Sequence, residues 1–345
     1  MPRLSAPFSS CAAQFDPLAT RSRLSWFWLL GLALFVGVPG ATSTFAQSPS
    51  ETHEIPARFT ANRIHVFPVT TQGDTLHLNT DTGGGPPILL RPAVNRLNMP
   101  VDTLSRGGRS RQTVPFPQFK TEASIPAPHG PNRLLVLPNR GPAKFLDADG
   151  QLGNSWFAGK VWTFDYGAER LLLHDSAENL SFNPEHTVPI TFRTDSTGRH
   201  LHHHARIEAT IADSTYSFLF DTGATFVLTK KGQDALGGPQ KQGGNFLIAS
   251  VFDRLRNEHP NWRIVENATG FRNRNRPLIQ VPNVTIAGHT VGPVWFERQP
   301  DRAFQKGRKL SLDRDVEGAL GGSLFQYFRI TVDYPGERAH FQQVN

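Results

Sequence analysis

An all-β protein of two homologous lobes with a cleft between them is what these 345 residues predict. Three observations carry the expectation. One portion of the chain recurs further along it. Apolar and polar residues alternate with the two-residue period of half-buried strands. The 30 Gly and 27 Pro interrupt the chain too often for long helices. No strand–helix–strand repeat is visible. Charged residues make up 19% of the chain, which excludes a coiled coil or a disordered acidic tail.

The first element is an address rather than part of the fold. Arg21 and Arg23 precede an apolar run from Trp26 to Val38, and small residues then lead to Ala46. Positive start, short apolar centre and small-residue end are the three parts of a secretory signal, so residues 1–46 are expected to be removed. The 13-residue run is shorter than the roughly 20 needed to span a bilayer, and no cysteine follows it to carry a lipid. The product is expected to be exported, to the periplasm or beyond, with no membrane span. Cleavage also removes Cys11, the single cysteine, with three arginines and one aspartate. A mildly basic chain without a thiol remains, held by its core alone. Residues 47–54 read as a short leader.

The remainder contains itself twice. Residues 149–170 and 317–338 align without a gap at an offset of 168 and share ten of 22 positions. Gly150, Leu152-Gly153 and Asp165-Tyr166 match Gly318, Leu320-Gly321 and Asp333-Tyr334. Upstream, the segment ending Asp81-Thr82-Gly83 lies 140 residues before the one ending Asp221-Thr222-Gly223. Both similarities occur in the same order, which indicates an internal duplication. Lobe one is read as residues 55–175 and lobe two as 188–345. The Asn- and Pro-containing stretch 176–187 is the linker.

Each D-T-G is expected to close a hairpin. In lobe two Ile207, Ala209 and Ile211 alternate with polar residues, Ala212-Asp213-Ser214 turns the chain, and Tyr216, Phe218 and Phe220 return. In lobe one Phe67, Val69 and Thr71 precede a turn at Gln72-Gly73-Asp74, and Leu76 and Leu78 follow. Short helices are predicted at 92–97 and 231–236, and strands at 163–166 and 331–334. Leu152-Gly153 and Leu320-Gly321 mark close approaches of backbone to backbone, each followed by a short turn anchored by Trp or Leu and Phe. Trp156 and Trp162 are expected to pack inside lobe one.

At this point the residues resemble the aspartic peptidases of the pepsin and retropepsin group. In that family each of two lobes, or two identical subunits, contributes one D-T-G or D-S-G and a downstream apolar-apolar-Gly. Here these are Asp81-Thr82-Gly83 with Gln151-Leu152-Gly153, and Phe220-Asp221-Thr222-Gly223-Ala224 with Ala319-Leu320-Gly321. The resemblance covers motifs and their order over most of the chain after residue 46. It implies an endopeptidase in which Asp81 and Asp221 activate water. Thr82 and Thr222 would brace the two loops, and Gly83 and Gly223 would give the carboxylates amide donors. Ala224, Leu152, Gly153, Leu320 and Gly321 would frame the loops. It implies a peptide or protein substrate lying extended in the cleft, a monomer, no cofactor and no metal. Many relatives that work in strong acid carry Ser or Thr after D-T-G, where Gly84 and Ala224 stand here. Without those hydroxyls fewer donors favour the charged carboxylate, which predicts an optimum in weak acid or near neutrality.

Lobe one departs from the family pattern. Asn79-Thr80 precedes its aspartate, Gly84-Gly85-Pro86-Pro87 follows, and Gln151 stands where an apolar residue is expected. Polar groups at buried positions need partners. The competing reading is therefore a non-catalytic envelope protein that binds peptide or polymer, with a degenerate lobe-one site. The mobile hairpin that covers substrate in this family is sought at 105–117 and 267–277.

Other motifs carry less. His200, His202, His203 and His204 could place imidazoles on one strand face as metal ligands, but no partner is identifiable and a loop or strand-edge cluster is expected. His53-Glu54 is broken by Pro56 and lacks a second histidine at zinc-protease spacing. No G-x-S-x-G elbow occurs, and Gly83-Gly84-Gly85 lacks the lysine of a phosphate loop. Asn179, Asn267 and Asn283 lie in N-x-S/T sites, which matter only in a glycosylating host. The basic clusters at 106–111 and 272–276 lack an aromatic-studded stripe, so no nucleic-acid partner is expected.

Overall fold

Strand order follows the duplication. In the computed structural model, which describes residues 51–106, 109–140, 146–271, 274–305 and 311–344, each copy builds one large sheet. In lobe one the spatial order is Arg63–Val66, Leu78–Thr80, Gly150–Leu152, Ile88–Leu90, Arg133–Leu137, Arg109–Pro115, Asp102–Arg106. In lobe two it is Arg206–Ile211, Ser214–Phe220, Gly318–Leu320, Phe246–Ile248, Val294–Gln299, Arg274–Val281, Ile264–Phe271. Neighbour for neighbour the two lists agree in direction as well. Leu78–Thr80 is parallel to Gly150–Leu152 as Ser214–Phe220 is to Gly318–Leu320. Ile88–Leu90 is parallel to Arg133–Leu137 as Phe246–Ile248 is to Val294–Gln299.

A third, six-stranded sheet is shared. Its two middle strands, Val161–Asp165 from lobe one and Phe328–Asp333 from lobe two, run antiparallel with Thr163 opposite Thr331. These are equivalent residues of the repeat, and their hydroxyls meet at 2.8 Å, so the pseudo-twofold axis passes between them. Beneath the sheets the core is continuous. Trp156, Phe157, Trp162 and Phe164 are fully buried; Phe164 reaches Phe220 at 6.0 Å and Phe220 stacks on Phe325 at 4.7 Å. The indole N–H groups are satisfied by the Pro126 and Phe157 carbonyls, which permits full burial. The architecture is the all-β, two-lobed one the sequence predicts.

The differences from expectation have local causes. Lobe two's hairpin, Arg206–Ile211 with Ser214–Phe220, turns at Ala212 and Asp213, both at positive φ. Lobe one's counterpart of Arg206–Ile211 is Arg63–Val66, upstream of the alternation at 67–71, and it pairs Val66 with Leu78. Pro68 lacks the N–H a ladder needs, so 67–75 forms a separate small loop closed by the Val69–Thr75 bridge. Residues 52–54, assigned to a leader, belong to the edge strand Thr52–Ile55, which pairs with Arg170–His174. An edge strand held through its backbone has no apolar alternation to announce it. Thr187, assigned to the linker, opens the strand Thr187–Pro189. The predicted helices are Arg91–Arg96 and Lys230–Leu236, the second capped by Thr229 and closed by Gly237 at positive φ. The helix Ala249–Glu258, unforeseen, buries Val251, Phe252 and Leu255 along one face.

Lobe two is longer mainly after its aspartate loop. There the ribbon of Thr225–Val227 and Lys241–Gly243, with its connecting helix, has no lobe-one counterpart. The expected signal segment lies outside the described residues, as do Cys11 and parts of both basic clusters. Among the described residues no helix is long and apolar enough to cross a membrane.

Candidate active site

Both D-T-G loops leave a sheet at equivalent points and are hung from the downstream glycine block. Asp81 N–H donates to the Leu152 carbonyl at 2.9 Å, and Asp221 N–H to that of Leu320 at 2.8 Å. Each loop then tightens, Gly84 N–H donating to the Asp81 carbonyl and Ala224 N–H to that of Asp221, both at 3.1 Å. Gly153 and Gly321 are required by crowding, because a Cβ at 153 would overlap the Gly85 carbonyl and one at 321 would meet the Asp221 carbonyl.

The loops are braced against each other across the axis. Thr82 Oγ1 accepts from the Thr222 N–H at 2.9 Å and donates to the Phe220 carbonyl at 2.9 Å. Thr222 Oγ1 accepts from the Thr82 N–H at 3.2 Å. Both threonines are buried, so these bonds are shielded from competing water. The carboxylates are seated crosswise. A Cβ added to Gly83 would fall on the Asp221 carboxyl group, and one added to Gly223 would fall on that of Asp81. The Gly223 N–H donates to Asp221 Oδ1 at 3.0 Å. All eleven residues singled out in the sequence thus come together in one arrangement about the pseudo-axis.

The residues that break the family pattern in lobe one are part of this arrangement. Gln151 Nε2 donates to Asp81 Oδ2 at 2.7 Å. A Cβ at Gly84 would stand 2.6 Å from both of those atoms, so the carboxylate and the glutamine amide together fill the space a residue-84 side chain would need. The pH argument from the missing hydroxyls therefore holds only for Ala224, since Gln151 supplies a donor to Asp81. Asn79 is buried and donates to the Leu146 carbonyl at 2.8 Å. Replacing Gln151 by Ala is expected to lower any activity of the site roughly 10-fold, the worth of one hydrogen bond to a charged group. Gln151→Met, which keeps the length of the side chain without the donor, should lose as much, measured as kcat/KM. Wild-type activity in Gln151→Met would show that the amide acts by shape alone.

Two further braces escaped the sequence reading. His204, in the loop before Arg206–Ile211, lies with Nε2 2.9 Å from the Gly84 carbonyl. A carbonyl only accepts, so Nε2 carries the proton; Asn154 Nδ2 lies 3.2 Å from Nδ1, which is free to accept from it, and 3.0 Å from Nε2. Asn245, fully buried, accepts from the Gly321 N–H at 2.7 Å and donates to the Trp295 carbonyl at 3.0 Å. Asn245 lies in no recognisable motif, and the histidine run that contains His204 gives no sign of this contact. The neighbouring histidines form a loose cluster, His203 lying 5.1 Å from His129 and 6.4 Å from His200 between centroids while His200 meets Glu337 at 2.8 Å. Among the described residues the ligand atoms close enough for one metal ion belong to Glu51, His53 and Asp175, all exposed.

A cavity of about 360 Å³ opens beside Asp81, bounded by Gln151, Thr222 and Gly223 and, on the far side, by the lobe-two ribbon. Asp221 is only 7% exposed. The two hairpins sought as covers form the outer strand pairs of the two sheets, and Thr269 and Arg276 of the second line this cavity.

Close by, His65 is buried and bonded to His77 at 3.0 Å. Burial, aided by Arg63 and His77, pushes its pKa from 6.5 down to about 4. An unfolded chain takes up this proton below pH 6.5 and the folded one does not, so stability is full above pH 6.5 and falls toward pH 4. The loss is on the order of 2 kcal/mol for one imidazole. His65→Gln should flatten the fall in urea midpoint over that window; an unchanged slope would assign the acid sensitivity elsewhere.

No protein-family model and no curated protein matches the chain. Among solved structures, an aspartic proteinase from Irpex lacteus is similar at a TM-score of 0.45 with 12% identity, over 86% of this chain and 98% of that one.

Proposed function

We propose that the chain is an aspartic endopeptidase, exported after loss of residues 1–46, that hydrolyses peptide bonds with a water held between Asp81 and Asp221. The crossed seating of each carboxylate on the opposite loop's glycine carries the reading, because it draws both acids toward one axis under a rigid threonine brace. Two carboxyl groups within hydrogen-bond range of each other share a proton, as aspartic proteases illustrate. The charged member takes a proton from water as it attacks the carbonyl carbon. The protonated member polarises the carbonyl oxygen and later delivers a proton to the leaving nitrogen. Asp81, with the Gln151 donor on Oδ2 and the cavity at its side, is the better placed to hold the charge. The envelope-binding alternative drew its support from lobe-one polar residues, and Gln151 now has a specific partner in Asp81.

The test is incubation of a mixed peptide library in heavy-oxygen water with the wild-type chain and with Asp221→Asn. The wild type should produce internal cuts whose new carboxyl ends carry one labelled oxygen, sensitive to a pepstatin-like inhibitor. Equal cleavage by both forms removes the proposal.

A further inference from the structure

Among the described residues, no hydrogen-bond acceptor meets one cation of the cavity beside Asp81. Arg63 lies in its wall, half-buried. Burial holds its pKa below the ordinary guanidinium value, and Asp147 is the carboxylate whose charge acts on it. No hydrogen bond or ion pair joins the Arg63 side chain to any described residue. Asp147 is itself the ion-pair partner of Lys241, a second cation of the same wall, and its side chain is 65% exposed. The third cation, Arg276, is held at 2.8 Å by Glu297, which is buried. Asp147, largely solvated, therefore faces both Arg63 and Lys241.

The pseudo-symmetry sharpens the contrast. Val66 pairs with Leu78 and Ile207 with Phe218, at matching distances before Asp81 and Asp221. Arg63 and His204 are thus equivalent positions. His204 has both ring nitrogens engaged by Gly84 and Asn154. Arg63 instead lines the cavity with the ribbon residues Thr225, Val227 and Lys241, which lobe one has no copy of. A guanidinium withdrawn from water is costly unless an acceptor meets it, and its planar fork fits a carboxylate through two parallel N–H bonds.

We propose that this cavity recognises a carboxylate of the bound peptide, with Arg63 as its receptor and Lys241 beside it. The carboxylate is either an Asp or Glu side chain near the scissile bond or the peptide's own C-terminus. The inference rests on the peptidase reading and names its substrate class: acidic peptides. The cavity's volume of about 360 Å³ is that of a small-ligand site and admits one such side chain.

The experiment uses peptides that differ only as Glu, Gln or Lys at each position around the cut, each made as free acid and as C-terminal amide. They are offered to the wild type, Arg63→Gln and Arg63→Glu. The wild type should prefer Glu over Gln at one position, or free acid over amide, by about 10-fold or more in kcat/KM. The first result assigns the carboxylate to a side chain and the second to the terminus. Arg63→Gln should bring the ratio toward one, and Arg63→Glu should favour Lys at the same position, a gain that misfolding cannot produce. Equal use of Glu and Gln, and of acid and amide, would overturn the proposal, as would an unchanged ratio in Arg63→Gln. Binding of the same peptides to Asp221→Asn, read by fluorescence anisotropy, separates the two claims. Selective binding with no cleavage by the wild type keeps the pocket and removes the peptidase. Cleavage without selectivity does the reverse.

Discussion

Asp81→Asn and Asp221→Asn are each expected to reduce peptide cleavage by roughly 10²- to 10⁴-fold, the span over which a positioned general acid or base contributes. Asparagine keeps the shape of the side chain but can neither share the proton nor release it. The threonine brace uses backbone groups and the Thr82 and Thr222 hydroxyls, so neither substitution touches it. Unfolding midpoints should therefore move little while kcat collapses. The two variants should also differ in their pH profiles. Asp81 keeps a glutamine donor that Asp221 lacks, so the remaining limb of the profile will report a differently solvated acid in each. A variant retaining near wild-type kcat would show that its aspartate is a spectator.

Gly223→Ala is expected to cost at least about 100-fold in kcat, since a displacement of about 1 Å at reacting groups has that effect. The new methyl would stand 2.3 Å from the Asp81 carboxyl carbon, and the acid must swing out of its seat. Gly83→Ala should do the same to Asp221 from the other side. The cause is occupancy rather than backbone strain, because neither glycine is among those at positive φ. Gly85→Ala is the control, for nothing lies within 4 Å of the methyl it would add. Activity in Gly223→Ala close to that of Gly85→Ala would mean that the crossed seating is incidental to catalysis.

Much of this was legible in the sequence, for reasons that can be stated. Repetition at a constant offset of 168 locates equivalent residues without any knowledge of their contacts, and the Thr163–Thr331 pair at the axis is its direct expression. Alternation marks Arg206–Ile211 and Ser214–Phe220 because one face of each is buried. It misplaces the strand that pairs with Leu78–Thr80 because it is blind to hydrogen bonds, and Pro68 decides that case. Gln151 stands out in the sequence as an anomaly, yet its use does not, since only the fold brings residue 151 to residue 81. His204 and Asn245 work by holding backbone groups of distant loops, and such contacts leave no local pattern. Arg63 reads as one more surface cation until the ribbon closes over it.

The shared sheet has a consequence for how the paired loops come into being. Had the halves been free copies, the junction between Val161–Asp165 and Phe328–Asp333 would be a subunit contact, and the fraction of assembled grooves would rise and fall with protein concentration. Joined end to end, each half meets its counterpart at a fixed, high effective molarity, so assembly survives indefinite dilution. Fusion also releases the twins from identity. One half carries a ribbon and the other a glutamine, differences that in a true homodimer would appear on both sides of the groove at once.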